Sequence, residues 1–144
     1  MAQRSSDETG ERNLKVALAY LAAISSGAPD EEVLGFFDPA VQQLEYPNRI
    51  ADTGATRDLA QLKEAAARGR QVMRRQTFTV RNAMAQGDTV FIEALWEGEL
   101  GVRAGQLHPG DIMRAHCAMV LELRGGKIVQ QRNYDCFEPL RPAP

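Results

Sequence analysis

Four side chains able to bind or move protons stand near the carboxyl end of this sequence: Arg114, His116, Asn133 and Asp135. They belong to two runs, residues 111–123 and 126–137, that alternate as half-buried strands do. Gly125-Gly126 separates the runs, and a Gly-Gly pair between alternating segments predicts a two-residue hairpin. In that register His116 faces Asp135, Ala118 faces Asn133 and Arg114 faces Phe137. Directly opposed residues hold their Cβ atoms about 4.5–5.5 Å apart, so imidazole and carboxylate are expected within hydrogen-bonding reach. A carboxylate fixes the tautomer of such a histidine and leaves its other nitrogen to act as general acid or base. Asp135 and His116 are therefore the candidate catalytic pair, with Asn133 and Arg114 binding substrate. The plainer alternative is a structural pair satisfying two half-buried polar groups. A three-residue turn shifts the register by one and separates them.

The remaining elements must build a hollow beneath that hairpin. Residues 1–10 read as a disordered polar tail and residues 140–144 as a proline-rich tail that frays. A helix is predicted over residues 11–26, with Leu14, Ala17, Leu18, Leu21 and Ile24 in one stripe. A short second helix starts at Pro29-Asp30-Glu31-Glu32, and residues 41–46 alternate as a strand. A third, Ala-rich helix covers residues 57–73. Arg68, Arg70, Arg74 and Arg75 crowd its carboxyl end, either as dipole complement and solubility or as an anion site. Strands over residues 77–83 and 89–96 flank Gln86-Gly87-Asp88, and residues 98–110 form a lid or an extended hairpin tip. The expected fold is α+β: one domain over residues 11–139, three amino-terminal helices packed on a curved antiparallel sheet as a cone-shaped barrel. Tyr20, Tyr46, Trp96 and Phe137 are expected to line its hollow.

Composition removes other classes. At a net charge of −2 the 144-residue chain has no electrostatic footprint for nucleic acid. Its longest apolar run, residues 16–24, is too short to span a bilayer. No nucleic-acid or membrane partner is expected, and the cytoplasm is the default location. Cys117 and Cys136 read as two buried free thiols, and neither they nor His108 and His116 have the spacing of a metal site.

Several short stretches point further. Ser25-Ser26-Gly27 closes the first helix, and Leu44-Glu45-Tyr46-Pro47 and Ala94-Leu95-Trp96-Glu97-Gly98 follow. Gly126-Lys127-Ile128 then leads into Arg132-Asn133-Tyr134-Asp135. In this order they resemble the SnoaL-like branch of the nuclear-transport-factor-2-like superfamily, from about Glu11 to about Pro139. The resemblance implies a cone holding a small, mostly apolar organic molecule without metal or cofactor, in a homodimer formed through the sheet's outer face. It implies one of three roles: an acid–base isomerase, cyclase or dehydratase; a non-catalytic binding protein; or a structural, partner-binding subunit. The catalytic aspartate of SnoaL-type cyclases falls at Asn133. The first-helix tyrosine of ketosteroid isomerases matches Tyr20, and their base falls at Tyr46. His116, Asp135, Tyr20 and Tyr46 resemble in type the set used by scytalone-dehydratase-like members. Ala94-Leu95-Trp96 stands where limonene-type epoxide hydrolases need an Arg-x-Asp pair, which argues against that activity.

Overall fold

The computed structural model describes residues 2–141, with side chains from residue 7 onward. Its elements are α1 (Ala2–Ser25), α2 (Asp30–Leu34), β1 (Phe37–Glu45), β2 (Ala55–Arg57), α3 (Leu59–Val72), β3 (Met73–Gln86), β4 (Thr89–Leu100), β5 (Ile112–Arg124) and β6 (Lys127–Phe137). The three helices pack on a six-stranded sheet of order β2-β1-β6-β5-β4-β3.

Helix α1 buries Asn13, Ala17, Tyr20 and Leu21, the spacing that puts side chains on one helical stripe. It takes in most of the stretch that the sequence reads as a disordered tail. The physical reason is docking on the β3–β4 turn. Gly10 lies against Ala85 and Gly87 at ordinary contact distance, and Asn13 donates to the Gly87 carbonyl at 3.0 Å. Helix α3 begins with a capping box in which Asp58 and Gln61 satisfy each other's backbone nitrogens.

Strands β3 to β6 form an antiparallel meander, and β1 joins the free edge of β6 in parallel. The sheet is thus mixed where the alternating pattern suggests an all-antiparallel one. Side-chain periodicity sets a strand's faces but does not choose its neighbour. The parallel pairing sets Glu45 of β1 beside Asn133 of β6.

The predicted hairpin turn is present, with Gly125 and Gly126 both at positive φ (58° and 75°), as a type I′ turn requires. Arg124 pairs with Lys127 and Leu123 with Ile128, but Glu122 then pairs with Gln130. Val129 is left over as a bulge, and the register beyond it moves by one residue. His116 therefore opposes Cys136, and Cys117 opposes Asp135.

The main core joins α1 to the sheet through Leu21, Val41, Val90, Leu121, Leu123 and Ile128. A second cluster, Leu100, Leu107 and Met113, packs with Met73, Trp96, Phe137 and Leu140. Leu107 pins the β4–β5 connection into that cluster, and Asp111 accepts from the His108 nitrogen at 2.8 Å. The connection is a seated hairpin tip, not a lid over the hollow. Leu140, predicted to fray, is packed, while residues 142–144 of that tail lie outside the described residues.

Candidate active site

Between the helices and the inner face of β3 to β6 lies a hollow of about 690 Å³. Inward positions on β6 are Gln131, Asn133, Asp135 and Phe137; those on β5 are Ala115, Cys117 and Met119. Trp96, Phe78 and Tyr20 add apolar wall. Trp96 donates to Gln76 Oε1 at 2.9 Å and meets Phe137 edge-on, ring centroids 6.0 Å apart at 76°. Its indole folds back over Gly98, where a Cβ would come within 2.6 Å of the ring.

Asp135 carries the strongest chemical signal. Burial raises its carboxyl pKa above the ordinary value, the negative charge of Glu45 adds to this, and a hydrogen bond with Cys117 partly opposes it. Among the described residues no cation pairs with it. Glu45, also lining the hollow, is held differently: Arg57 donates to its Oε1 at 3.0 Å and Asn48 to its Oε2 at 2.8 Å. Two carboxyls thus share one hollow, Glu45 paired with a guanidinium and Asp135 with none among the described residues.

A directed hydrogen-bond chain runs up β6. The Tyr20 hydroxyl donates to Gln131 Oε1 at 3.1 Å, and Gln131 Nε2 donates to Asn133 Oδ1 at 3.0 Å. With its oxygen engaged, Asn133 presents its amide Nδ2 as the donor beside Asp135. Burial pushes the Tyr20 hydroxyl up to about 12, with the Gln131 contact partly opposing, so it stays a neutral donor. Cys117 is likewise driven up, by burial first and then by the Asp135 charge, which keeps it a thiol and a poor nucleophile.

The expected His116–Asp135 pair is not formed. The unbroken alternation of β5 puts His116 and Arg114 on the outer face, and the bulge at Val129 carries Asp135 to the inner one, beside Cys117. On the outer face Arg81 Nη1 donates to His116 Nδ1 at 3.2 Å, so Nε2 carries the proton toward Glu138 at 3.0 Å. Arg114 pairs with Glu97 at 2.9 Å. Tyr46 is also outside, its ring 4.7 Å from that of Tyr134. Of the predicted residues, Tyr20, Trp96, Asn133, Asp135 and Phe137 meet in the hollow. The same one-residue shift corrects the thiols: Cys117 is buried inside and Cys136 exposed outside, both free.

Glu45, Cys117, Gln131 and Gln76 line the hollow in addition to the site residues that the sequence predicts. Gln131 was accessible, being two residues from Asn133 and so on the same face. Cys117 depends on the bulge and Glu45 on the β1–β6 pairing, which no local pattern announces. Among the described residues no three His, Cys, Asp or Glu side chains gather as a metal site, and no helix is long and apolar enough to cross a membrane.

A mixed sheet wrapped against three helices over such a hollow is the fold of the ketosteroid-isomerase-like and nuclear-transport-factor-2-like proteins. The chain belongs to the SnoaL-like domain family, whose model matches residues 17–131. No curated relative matches it in sequence. Among solved structures it is similar to IdmH, a candidate polyketide cyclase from Streptomyces antibioticus, with TM-score 0.70, 19% identity, 85% of this chain and 91% of that one covered. TerC, co-crystallised with polyporic acid, is 20% identical at TM-score 0.69, over 86% and 91% of the two chains. A protein of ketosteroid-isomerase-like fold from Catenulispora acidiphila, in complex with trimethylamine, is 22% identical at TM-score 0.66, over 83% of each chain. Likeness at these identities establishes the fold.

Proposed function

We propose that the hollow binds a small, mostly apolar organic molecule bearing a carbonyl, and that Asp135 moves a proton on the carbon beside it. Asp135, as carboxylate, takes the proton; Asn133 Nδ2 donates to the oxygen on which negative charge develops. Tyr20 acts through Gln131, holding the Asn133 amide in its donating orientation. Isomerisation, cyclisation and elimination of water all begin with that step. The reading is carried by one observation: a carboxyl raised by burial, without a cation, faces an apolar-walled hollow beside an oriented amide donor. Neighbours of the same fold hold polyporic acid and trimethylamine, which supports a small-molecule site.

The test needs no knowledge of the finished reaction. Aryl ketones and cyclic enones are incubated with the protein in heavy water, and deuterium uptake beside the carbonyl is followed by NMR. Uptake is expected with the natural chain and absent with Asp135→Asn, while quenching of Trp96 emission by the same compounds persists. Uptake at the natural rate in the variant sinks the catalytic role.

A second reading, a binding protein without turnover, is favoured by the placement of His116 outside, which leaves the hollow a single free carboxyl. It expects quenching without uptake in either protein. We further propose a cytoplasmic homodimer. Free Cys117 and Cys136 suit a reducing compartment, and the exposed Met84, Phe91 and Tyr134 of the outer sheet face suit self-association.

A further inference from the structure

The charges around the hollow cancel except at one carboxyl. Glu45 is paired with Arg57, and Asp30 with Arg70 across the α2–α3 gap. Arg74 and Arg75 share Glu99 on the outer sheet face, the side that also carries Glu97 and Arg114. Among the described residues no cation answers Asp135. Strand register sets that carboxyl beside an aromatic corner. Phe78, Trp96, Ala115 and Phe137 form one row across β3 to β6 on the inner face. Ala94, Cys117 and Asp135 form the row next to it, two residues along each strand. Trp96 and Phe137 meet at 76°, so they make two walls of the corner. The small side chains of Ala94, Ala115 and Cys117 leave room between those rings and the carboxyl. The indole N–H of Trp96 is already engaged by Gln76, so the rings offer π surface and no free donor.

We infer that the ligand carries an alkylated ammonium group, tertiary or quaternary, seated between Trp96, Phe137 and Asp135. Aromatic rings attract a cation through their quadrupole, and the carboxylate attracts it through its charge. A primary ammonium brings three N–H donors to a corner whose one acceptor group is Asp135, and unanswered donors are costly to bury. An alkylated nitrogen brings one donor or none. The inference rests on the hollow being a ligand site, as proposed above, and adds the class of molecule and its direction. Asn133, Asp135 and Phe137 follow one another on the inner face of β6. The carbonyl oxygen then lies at Asn133, the carbon that loses its proton at Asp135, and the ammonium toward Phe137. A cation in that place also favours the carboxylate form of Asp135 that the proton transfer needs.

Two ketones of the same shape isolate the charge: trimethylphenacylammonium, and neopentyl phenyl ketone, in which carbon replaces the nitrogen. Both are titrated against the natural chain, Asp135→Asn and Phe137→Leu, reading the quenching of Trp96 emission. The cationic ketone is expected to bind the natural chain about tenfold more tightly than the neutral one. The preference should vanish in Asp135→Asn, where the neutral ketone binds as before, and fall about threefold in Phe137→Leu. On the natural chain alone, tetramethylammonium chloride should displace the cationic ketone better than sodium chloride of equal ionic strength. That comparison stands however the variants fold. Equal binding of the two ketones overturns the inference and leaves a neutral ligand site. A preference that survives Asp135→Asn overturns it in favour of attraction to the net charge of the chain, and one untouched by Phe137→Leu removes the aromatic seat. Tetramethylammonium no more effective than sodium likewise counts against it. Failure of both ketones to bind overturns the underlying ligand-site reading as well.

Discussion

At Asp135 the chemistry and the stability of the fold pull in opposite directions. Its folded pKa lies above the ordinary carboxyl value, chiefly through burial. A raised carboxyl pKa contributes stability that is fully present below the unfolded value, about 3.9 for Asp, and is lost as pH rises through the folded value. Asp135→Asn, which cannot ionise, is therefore expected to have a higher urea midpoint than the natural chain at pH 7. The gap should close as pH falls below about 4. Coincident midpoints across that range contradict the burial argument. Deuterium uptake should show the complementary profile, rising with pH through the raised Asp135 value because the carboxylate is the working form. Tyr20 is tied to the same site by a single bond. Tyr20→Phe leaves the buried Gln131 oxygen without its donor, an expected loss of about 1–3 kcal/mol in urea unfolding. It also frees the Asn133 amide to turn, so affinity for carbonyl-bearing compounds should fall with it.

The elements show how little backbone change relocates a side chain. Gly98 has no unusual φ; what it supplies is room, because the Trp96 indole occupies the space of a Cβ. Gly98→Ala should cost about 1–3 kcal/mol through overpacking and shift the emission of the sole tryptophan, which reports directly on the hollow wall. Unchanged emission means the ring does not lie there. The register of β6 has wider reach. Deleting Val129 removes only the unpaired residue and leaves Gln131 opposite Leu121 and Asp135 opposite Cys117; deleting the paired Arg132 instead offers Asn133 and Asp135 to the wrong face. Loss of cooperative unfolding is expected of the Arg132 deletion. Deletion of Arg103, exposed in the β4–β5 connection, serves as the tolerated control.

For the molecule as a whole, the two faces of the sheet divide the work. The inner face holds the hollow; the outer face carries Met84, Phe91 and Tyr134, 56%, 45% and 46% exposed. Met84 pairs with Phe91, and Phe91 with Val120, across three strands, so these three apolar side chains are contiguous. A homodimer through this face is expected to become monomeric on Phe91→Lys, read by light scattering, with Trp96 emission unchanged. A monomeric natural chain removes the dimer from the proposal and leaves the hollow untouched.

Alternation, turn residues and apolar stripes are local, and they determined a good deal here. The α+β plan, the Gly125-Gly126 turn, the inward face of β6 from Asn133 to Phe137, and Tyr20 on the buried stripe of α1 were all legible in the sequence. Partnering is not local. One extra residue at Val129, accommodated between β5 and β1, reversed which β5 side chains meet Asp135, exchanging His116 for Cys117. Parallel addition of β1 to β6 brought in Glu45 with its Arg57 clamp. A strand's faces repeat every two residues, so a single unpaired position inverts everything beyond it. Whether that position forms is decided by the strands packed on either side.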